Sequence, residues 1–211
     1  DKQAISFLLK FGRERFPIQL QSPGHFMISN ALAAAAVGYL LGISAAKVKA
    51  GLESFKPIMG RMNICHMSNG VHLIDDTYNA NPDSMKAALA TLERTGAKGR
   101  RIFVAGDMLE LGTHAPELHS QVGALAARAG VDRLYASGEH AAAVAAGAQK
   151  EAMPAANTIT GSREEIIEGL RGWLQPGDWV LVKGSRGMAM EKVVEGLKAW
   201  ARESQNLTKS G

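Results

Sequence analysis

Two apolar runs, residues 5–9 and 16–20, flank the polar segment Gly12-Arg13-Glu14-Arg15 and predict a pair of strands or a hairpin. Residues 28–41 are rich in Ala and Leu, good helix formers, and Gly42 stands where such a helix would stop. Ser44 offers an N-cap to a second helix with Val48, Leu52 and Phe55 on one face, ended by Pro57. The pattern changes after residues 57–60, which mark a candidate domain boundary. Residues 62–67 and 71–74 flank Ser68-Asn69-Gly70, a hairpin signal.

From there short apolar runs alternate with longer helical patterns. Strands are predicted over 71–75, 101–105, 133–137, 157–160 and 179–182. The helices that follow them cover 83–94, 115–129, 140–150, 163–174 and 188–202. A polar tail from about residue 204 is expected to fray. Such alternation predicts an α/β fold, a Rossmann-like, doubly wound and mostly parallel sheet over residues 60–211. Residues 1–59 form a shorter α+β segment before it.

Hydrophobic residues make up 46% of the chain and charged residues 21%, enough to fill a core. The formal charge of +4 comes without a dense basic run, and aromatics are only 6%. A nucleic-acid groove with stacking platforms is therefore not expected. Cys65 is the single cysteine, which excludes an internal disulfide and a Cys-based zinc cage. None of the six histidines has a tight metal-binding spacing, so a zinc site is not expected, and no residue of the chain is assigned as a metal ligand. The most apolar stretch, residues 31–43, is too short to span a bilayer. A cytoplasmic monomer without membrane partners is expected. The chain opens at Asp1 within structured sequence, which points to a piece of a longer protein.

In an open parallel sheet, ligands bind beyond the carboxyl ends of the strands. Three unusual loops fall there. The first, Asp75-Asp76-Thr77-Tyr78-Asn79-Ala80-Asn81-Pro82, carries carboxylates suited to ribose hydroxyls and amides suited to phosphate or carbonyl oxygens. Asn81 and Asp83 also suit an Asx turn and helix cap, whereas Asp76 is the better candidate for ligand contact. In the second, Gly106-Asp107-Met108-Leu109-Glu110-Leu111-Gly112, the carboxylates of Asp107 and Glu110 would repel a pyrophosphate, and the dinucleotide spacing is missing. They either meet an amine-bearing substrate or a metal, or order the loop. The third, Lys183-Gly184-Ser185-Arg186-Gly187, is predicted to open a helix and to favour an anion.

These loops, together with Asn30-Ala31-Leu32-Ala33-Ala34-Ala35, Gly60-Arg61 and Met190-Glu191, resemble the C-terminal region of the Mur ligases in order and over nearly the whole chain. Within that family the pattern is similar to the ligases that join D-alanyl-D-alanine to UDP-N-acetylmuramoyl-tripeptide. The resemblance implies an ATP- and Mg2+-dependent amide ligase of peptidoglycan precursor synthesis, working through an acyl phosphate. It implies that Asn30, Arg61 and Asp76 bind ATP, with Asn30 near the adenine. Tyr78, Asn79, Asn81, Asp107, Glu110, Lys183, Ser185 and Arg186 are then assigned to the substrate cleft. Residues 1–59 would be the end of the central ATP-binding domain and residues 60–211 the C-terminal domain. Asp76→Ala is expected to weaken ATP use while leaving the fold intact.

Two departures stand out. The family commonly has Gly-x-His-Asn before the helix bearing Asn30, and here Gly24-His25-Phe26-Met27 places Phe26 and Met27 at the His-Asn positions. No G-x-x-x-x-G-K-[ST] occurs, so the P-loop, the magnesium ligands and a modified lysine would lie upstream of Asp1. The 211 residues alone are expected to be inactive. A folylpolyglutamate-type or other sister ligase, a non-catalytic nucleotide- or dipeptide-binding module, and an NAD enzyme are the competing readings.

Overall fold

The computed structural model describes residues 4–22, 24–56, 58–95 and 99–209, with side chains through Ser204. Pro57, read above as the end of the second helix, lies outside the described residues. The chain divides into two compact units, Asp1–Ile58 and Met59–Gly211.

In the first unit, strands β1 (Ile5–Phe11) and β2 (Glu14–Leu20) pair antiparallel from Ile5↔Leu20 to Phe11↔Glu14. Both strands run further into the polar segment than their apolar residues indicate. The turn shrinks to Gly12-Arg13, where Gly12 takes a φ of 61° that suits glycine. Helices α1 (Phe26–Leu40) and α2 (Ala45–Ser54) follow. Gly42, at φ 69°, separates them as expected. Leu9, Ile18, Leu20, Ala31, Ala35 and Val48 form this unit's core.

The second unit holds a six-stranded sheet. Its strands are β3 (Asn63–His66), β4 (His72–Asp76), β5 (Arg101–Gly106), β6 (Arg133–Ser137), β7 (Thr158–Thr160) and β8 (Trp179–Lys183), in spatial order β3-β4-β8-β5-β6-β7. Only β3 is antiparallel to its neighbour. The helices are α3 (Pro82–Thr95), α4 (Ala115–Arg128), α5 (Ala141–Lys150), α6 (Arg163–Arg171) and α7 (Glu191–Lys209). Side chains alternate across the pleat, so each central strand feeds two cores. Phe103 and Leu181 join Met85, Leu89, Val122 and Val144 from α3, α4 and α5 on one face. Val104 and Val180 join Ile166, Leu170, Val193 and Leu197 from α6 and α7 on the other. The mostly parallel, doubly covered α/β fold is therefore present. Cys65 is free and half-buried against the second core, in keeping with a small apolar strand residue.

Two expectations need correction. The polar tail does not fray at residue 204, because α7 continues to Lys209. The loop after β8 does not open a helix directly. One 3-10 turn, Arg186–Met188, and Ala189 in the left-handed conformation (φ 49°) intervene before α7 starts at Glu191. No helix among the described residues is long and apolar enough to cross a membrane.

Candidate functional site

Because β8 lies between β4 and β5, the three unusual loops leave the carboxyl ends of three adjacent strands. They enclose a cleft of about 540 Å3 whose lining includes Tyr78, Asn79, Asn81, Glu110, Ser185 and Arg186. Six of the eight residues assigned to the cleft thus meet there. Asp107 and Lys183 do not line it, and each has a different occupation.

Lys183 and Asp76 are register partners at the ends of β8 and β4. The Lys183 ammonium donates to Asp76 Oδ2 at 2.6 Å and to the Asn79 carbonyl at 2.8 Å, and its side chain is only 3% exposed. It is a buried strut between two loops, not a cation awaiting an anion. Asp76 Oδ1 accepts the Met62 N–H at 3.1 Å. Burial pushes the Asp76 carboxyl above its ordinary range, opposed by the Lys183 ammonium and the Met62 N–H. Asp75 turns inward and accepts the Thr77 hydroxyl at 2.7 Å, fixing the start of the loop.

Arg61 is positioned by backbone. Gly60 (φ 74°) and Met62 (φ 53°) are both left-handed, and the Gly60 carbonyl accepts the Tyr78 N–H at 2.9 Å. The exposed guanidinium of Arg61 lies 4.2 Å over the Tyr78 ring. Gly-Arg and the Asp-Asp-x-Tyr loop therefore form one structure, which explains why both occur. At the far end of the loop Asn81 Oδ1 accepts the Ser84 N–H at 2.8 Å, and the Ser84 hydroxyl accepts the Asn81 N–H at 3.0 Å. With Pro82 opening α3, Asn81 is a helix cap that also lines the cleft.

The loop after β5 is pinned at three successive residues, Asp107 to Leu109. Asp107, 4% exposed, accepts the Glu139 N–H at 2.7 Å and the His140 N–H at 3.2 Å. Gly138 lets it approach, since a Cβ there would stand 2.4 Å from the carboxyl. Between its two readings, Asp107 takes the loop-ordering one. The Leu109 N–H donates to Ser185 Oγ at 2.9 Å, and Ser185 Oγ donates to the Ala80 carbonyl at 3.3 Å, so one hydroxyl joins all three loops. Glu110 is exposed, with a φ of 64° that costs a non-glycine residue roughly 1–2 kcal/mol. Arg186 is exposed and meets Glu191 at 3.3 Å.

His119 is the residue that the sequence left unassigned beyond its helix. It is buried on α4, with Nδ1–H donating to the Ala115 carbonyl at 2.6 Å and Nε2 accepting the Met108 N–H at 2.9 Å. The fold therefore holds the neutral ring. Burial lowers its pKa from the ordinary 6.5, against the pull of the Ala115 carbonyl and of Asp107; the nearby His140 ring adds to the lowering. As pH falls, the unfolded chain takes up this proton first, so stability is full above about 6.5 and is lost below it. The thermal midpoint is expected to fall between about pH 7 and about pH 5. His119→Gln should flatten that part of the profile; an unchanged slope would assign it to other groups.

Asn30 belongs to the first unit. It is exposed on α1, its amide donates to Met27 Sδ at 3.5 Å, and with Met27 and Phe55 it lines an apolar pocket of about 550 Å3. Phe26 is not part of that lining.

Residues 60–186 match the family described as Mur ligase, glutamate ligase domain. The chain belongs to the Mur ligase family. A UDP-N-acetylmuramoyl-tripeptide–D-alanyl-D-alanine ligase from Escherichia coli K12 is 39% identical over 179 residues, which cover 84% of this chain and 38% of that protein. Its counterpart from Bacillus subtilis is 33% identical, over 81% of this chain and 37% of that protein. This Mur ligase chain thus spans less than two fifths of either relative. A crystal structure of MurF from Acinetobacter baumannii matches with a TM-score of 0.83 and 30% identity, over 94% of this chain and 43% of that one. A Thermotoga maritima MurF ligase in complex with ADP shares the fold at a TM-score of 0.80 and 24% identity, over 97% of this chain and 45% of that one.

Proposed function

We propose that this chain is the C-terminal part of an ATP-dependent ligase that joins D-alanyl-D-alanine to UDP-N-acetylmuramoyl-tripeptide in the cytoplasm. The supporting observation is the convergence of the loops after β4, β5 and β8 on one cleft, within a domain whose relatives are named for that reaction. In that chemistry the γ-phosphate of ATP passes to a substrate carboxylate. The acceptor amine then attacks the acyl carbon, phosphate leaves, and the nitrogen gives up a proton as the amide forms. Phosphoryl transfer of this kind rests on positioning and charge neutralisation more than on a protein nucleophile.

Arg61, exposed and fixed over Tyr78, offers a guanidinium to the nucleotide phosphates. Asp76 holds the Gly60–Met62 turn and Lys183 in place while keeping a carboxylate lone pair for a ribose hydroxyl. The pocket of Met27, Asn30 and Phe55 in the first unit suits the flat, apolar face of adenine. Residues 1–59 belong on this reading to the ATP-binding domain. On this reading the Mg2+ ligands belong to the rest of the enzyme.

Phosphate release by the full-length protein is expected to require ATP, UDP-N-acetylmuramoyl-tripeptide and D-alanyl-D-alanine together. The 211 residues alone should release none. Turnover by this chain alone, or equal rates with other amino-acid acceptors, would overturn the proposal.

A further inference from the structure

A row of three rings crosses the amino ends of β4 and β8, at the opposite edge of the sheet from the cleft. His66 pairs with His72 in the β3–β4 register, and His72 with Trp179 in the β4–β8 register. Register partners project from one face of a sheet, so the three side chains meet. The His66 and His72 ring centroids lie 4.7 Å apart at 85°, and the Trp179 ring lies 4.5 Å from that of His72. His66 is exposed on the edge strand, His72 is half-buried and Trp179 is buried. The two imidazoles approach through like atoms, with His66 Nδ1 standing 2.6 Å from His72 Nδ1. Nitrogens so close hold one proton between them, so one ring donates from Nδ1 and the other offers a lone pair. The six-residue separation matches no metal motif, and only the hairpin register brings the pair together.

We propose that His66 and His72 form a chelating site for a divalent transition-metal ion, in which the ion takes the place of the shared proton. Both Nδ1 atoms coordinate it, and the proton of the donating ring moves to that ring's own Nε2. Metal–imidazole bonds of about 2.0–2.1 Å, meeting at a square-planar or tetrahedral angle, put the two nitrogens about 3 Å apart. The pair therefore has to open by only a few tenths of an ångström, and exposed His66 has room to do so. Imidazole suits Cu2+, Ni2+ and Zn2+, with Cu2+ held most tightly, whereas Mg2+ takes oxygen ligands and does not compete. Among the described residues no third His, Cys, Asp or Glu joins the pair. With two protein ligands and water at the other positions, the site is open and its ion exchangeable. The bound ion ties β3, an edge strand of four residues, to β4 across the turn closed by the Met67 N–H and the Val71 carbonyl.

The test is titration of the tag-free chain with copper(II) chloride at neutral pH, followed by tryptophan emission and by thermal unfolding. Cu2+ bound beside Trp179 should quench its emission saturably at one ion per chain, with Trp173 and Trp200 left as a constant background. At a hundredfold excess over the half-saturating concentration, the thermal midpoint should rise by about 5–10 °C. His66→Gln and His72→Gln should each raise the half-saturating concentration more than about tenfold, since even an outer partner of a metal ligand is worth that much. Trp179→Phe should lose the quenching and keep the thermal shift. Tight binding retained in both histidine variants, or quenching retained in Trp179→Phe, would place the ion elsewhere and overturn the assignment. A wild-type chain that shows no saturable quenching, or an equal thermal shift with Mg2+, would overturn it as well.

Discussion

Lys183→Met is expected to lower the unfolding free energy of residues 59–211 by about 3–5 kcal/mol at neutral pH, the usual cost of leaving one member of a buried ion pair alone. The Lys183 ammonium is the favourable charge beside Asp76, and it also satisfies the Asn79 carbonyl. Without it the Asp76 carboxyl, already pushed up by burial, rises further. A carboxyl raised in the fold is disfavoured in its charged form, so stability is lost as pH rises from its ordinary value through the folded one. The deficit of Lys183→Met against wild type should therefore shrink as pH falls, which urea titrations at several pH values would measure. A deficit independent of pH would refute the pairing. The same geometry revises the expectation that Asp76→Ala spares the fold. That variant strands a buried ammonium and the Met62 N–H, so weakened ATP use would come with lost stability. Asp76→Leu combined with Lys183→Met removes both charges and should recover part of the stability, because apolar pairs of similar volume replace buried ion pairs at little cost while the Met62 N–H stays unpaired.

Gly147→Ala should be the most damaging single-methyl addition in the sheet domain. Gly147 on α5 and Gly123 on α4 let the two helices touch through backbone. A Cβ at Gly147 would stand 1.8 Å from the Ser120 carbonyl oxygen, and one at Gly123 would stand 1.8 Å from that of Val144. Alanine would raise helix propensity by about 1 kcal/mol. Forcing the helices apart costs about 3 kcal/mol, since neither obstacle is a side chain that can rotate away. The clash wins. Gly51 on α2 supplies the contrast, because a Cβ there meets nothing within 4 Å and Gly51→Ala should stabilise its own unit by about 0.5–1 kcal/mol. Urea unfolding of both variants gives the comparison, and a stable Gly147→Ala would show that the helices can separate cheaply.

The parallel sheet was legible because its signal is local. Apolar runs such as residues 101–105 and 179–182 are buried on both faces and need no knowledge of their partners to be recognised. The three loops could likewise be placed by one rule, that ligands gather at strand carboxyl ends, and six of the eight residues assigned through the family resemblance line the cleft between them. The sheet order was not legible, nor were the contacts that follow from it. Whether Lys183 is a free cation or half of a pair depends on β8 lying beside β4, which no spacing reveals. Asp107 and Glu110 look equivalent in sequence, and only the turn at Gly138 separates a buried brace from a charge in the cleft. His119 carried no motif, because its partner is the backbone of Met108, and backbone bonds leave no trace in residue identity.

The place of β8 also bears on the order of assembly. It is the last strand in the chain and lies between β4 and β5, which do not pair with each other. Before it docks, the sheet exists as two pieces with raw hydrogen-bonding edges, open to association with other chains. The bond from Lys183 to Asp76 closes a loop of 107 residues, the kind of distant contact that slows folding. Synthesis from the ribosome must therefore run nearly to the end of the domain before the cleft can exist at all. A chain stopped short of residue 179 would carry two of its three loops with no strand to hold them together.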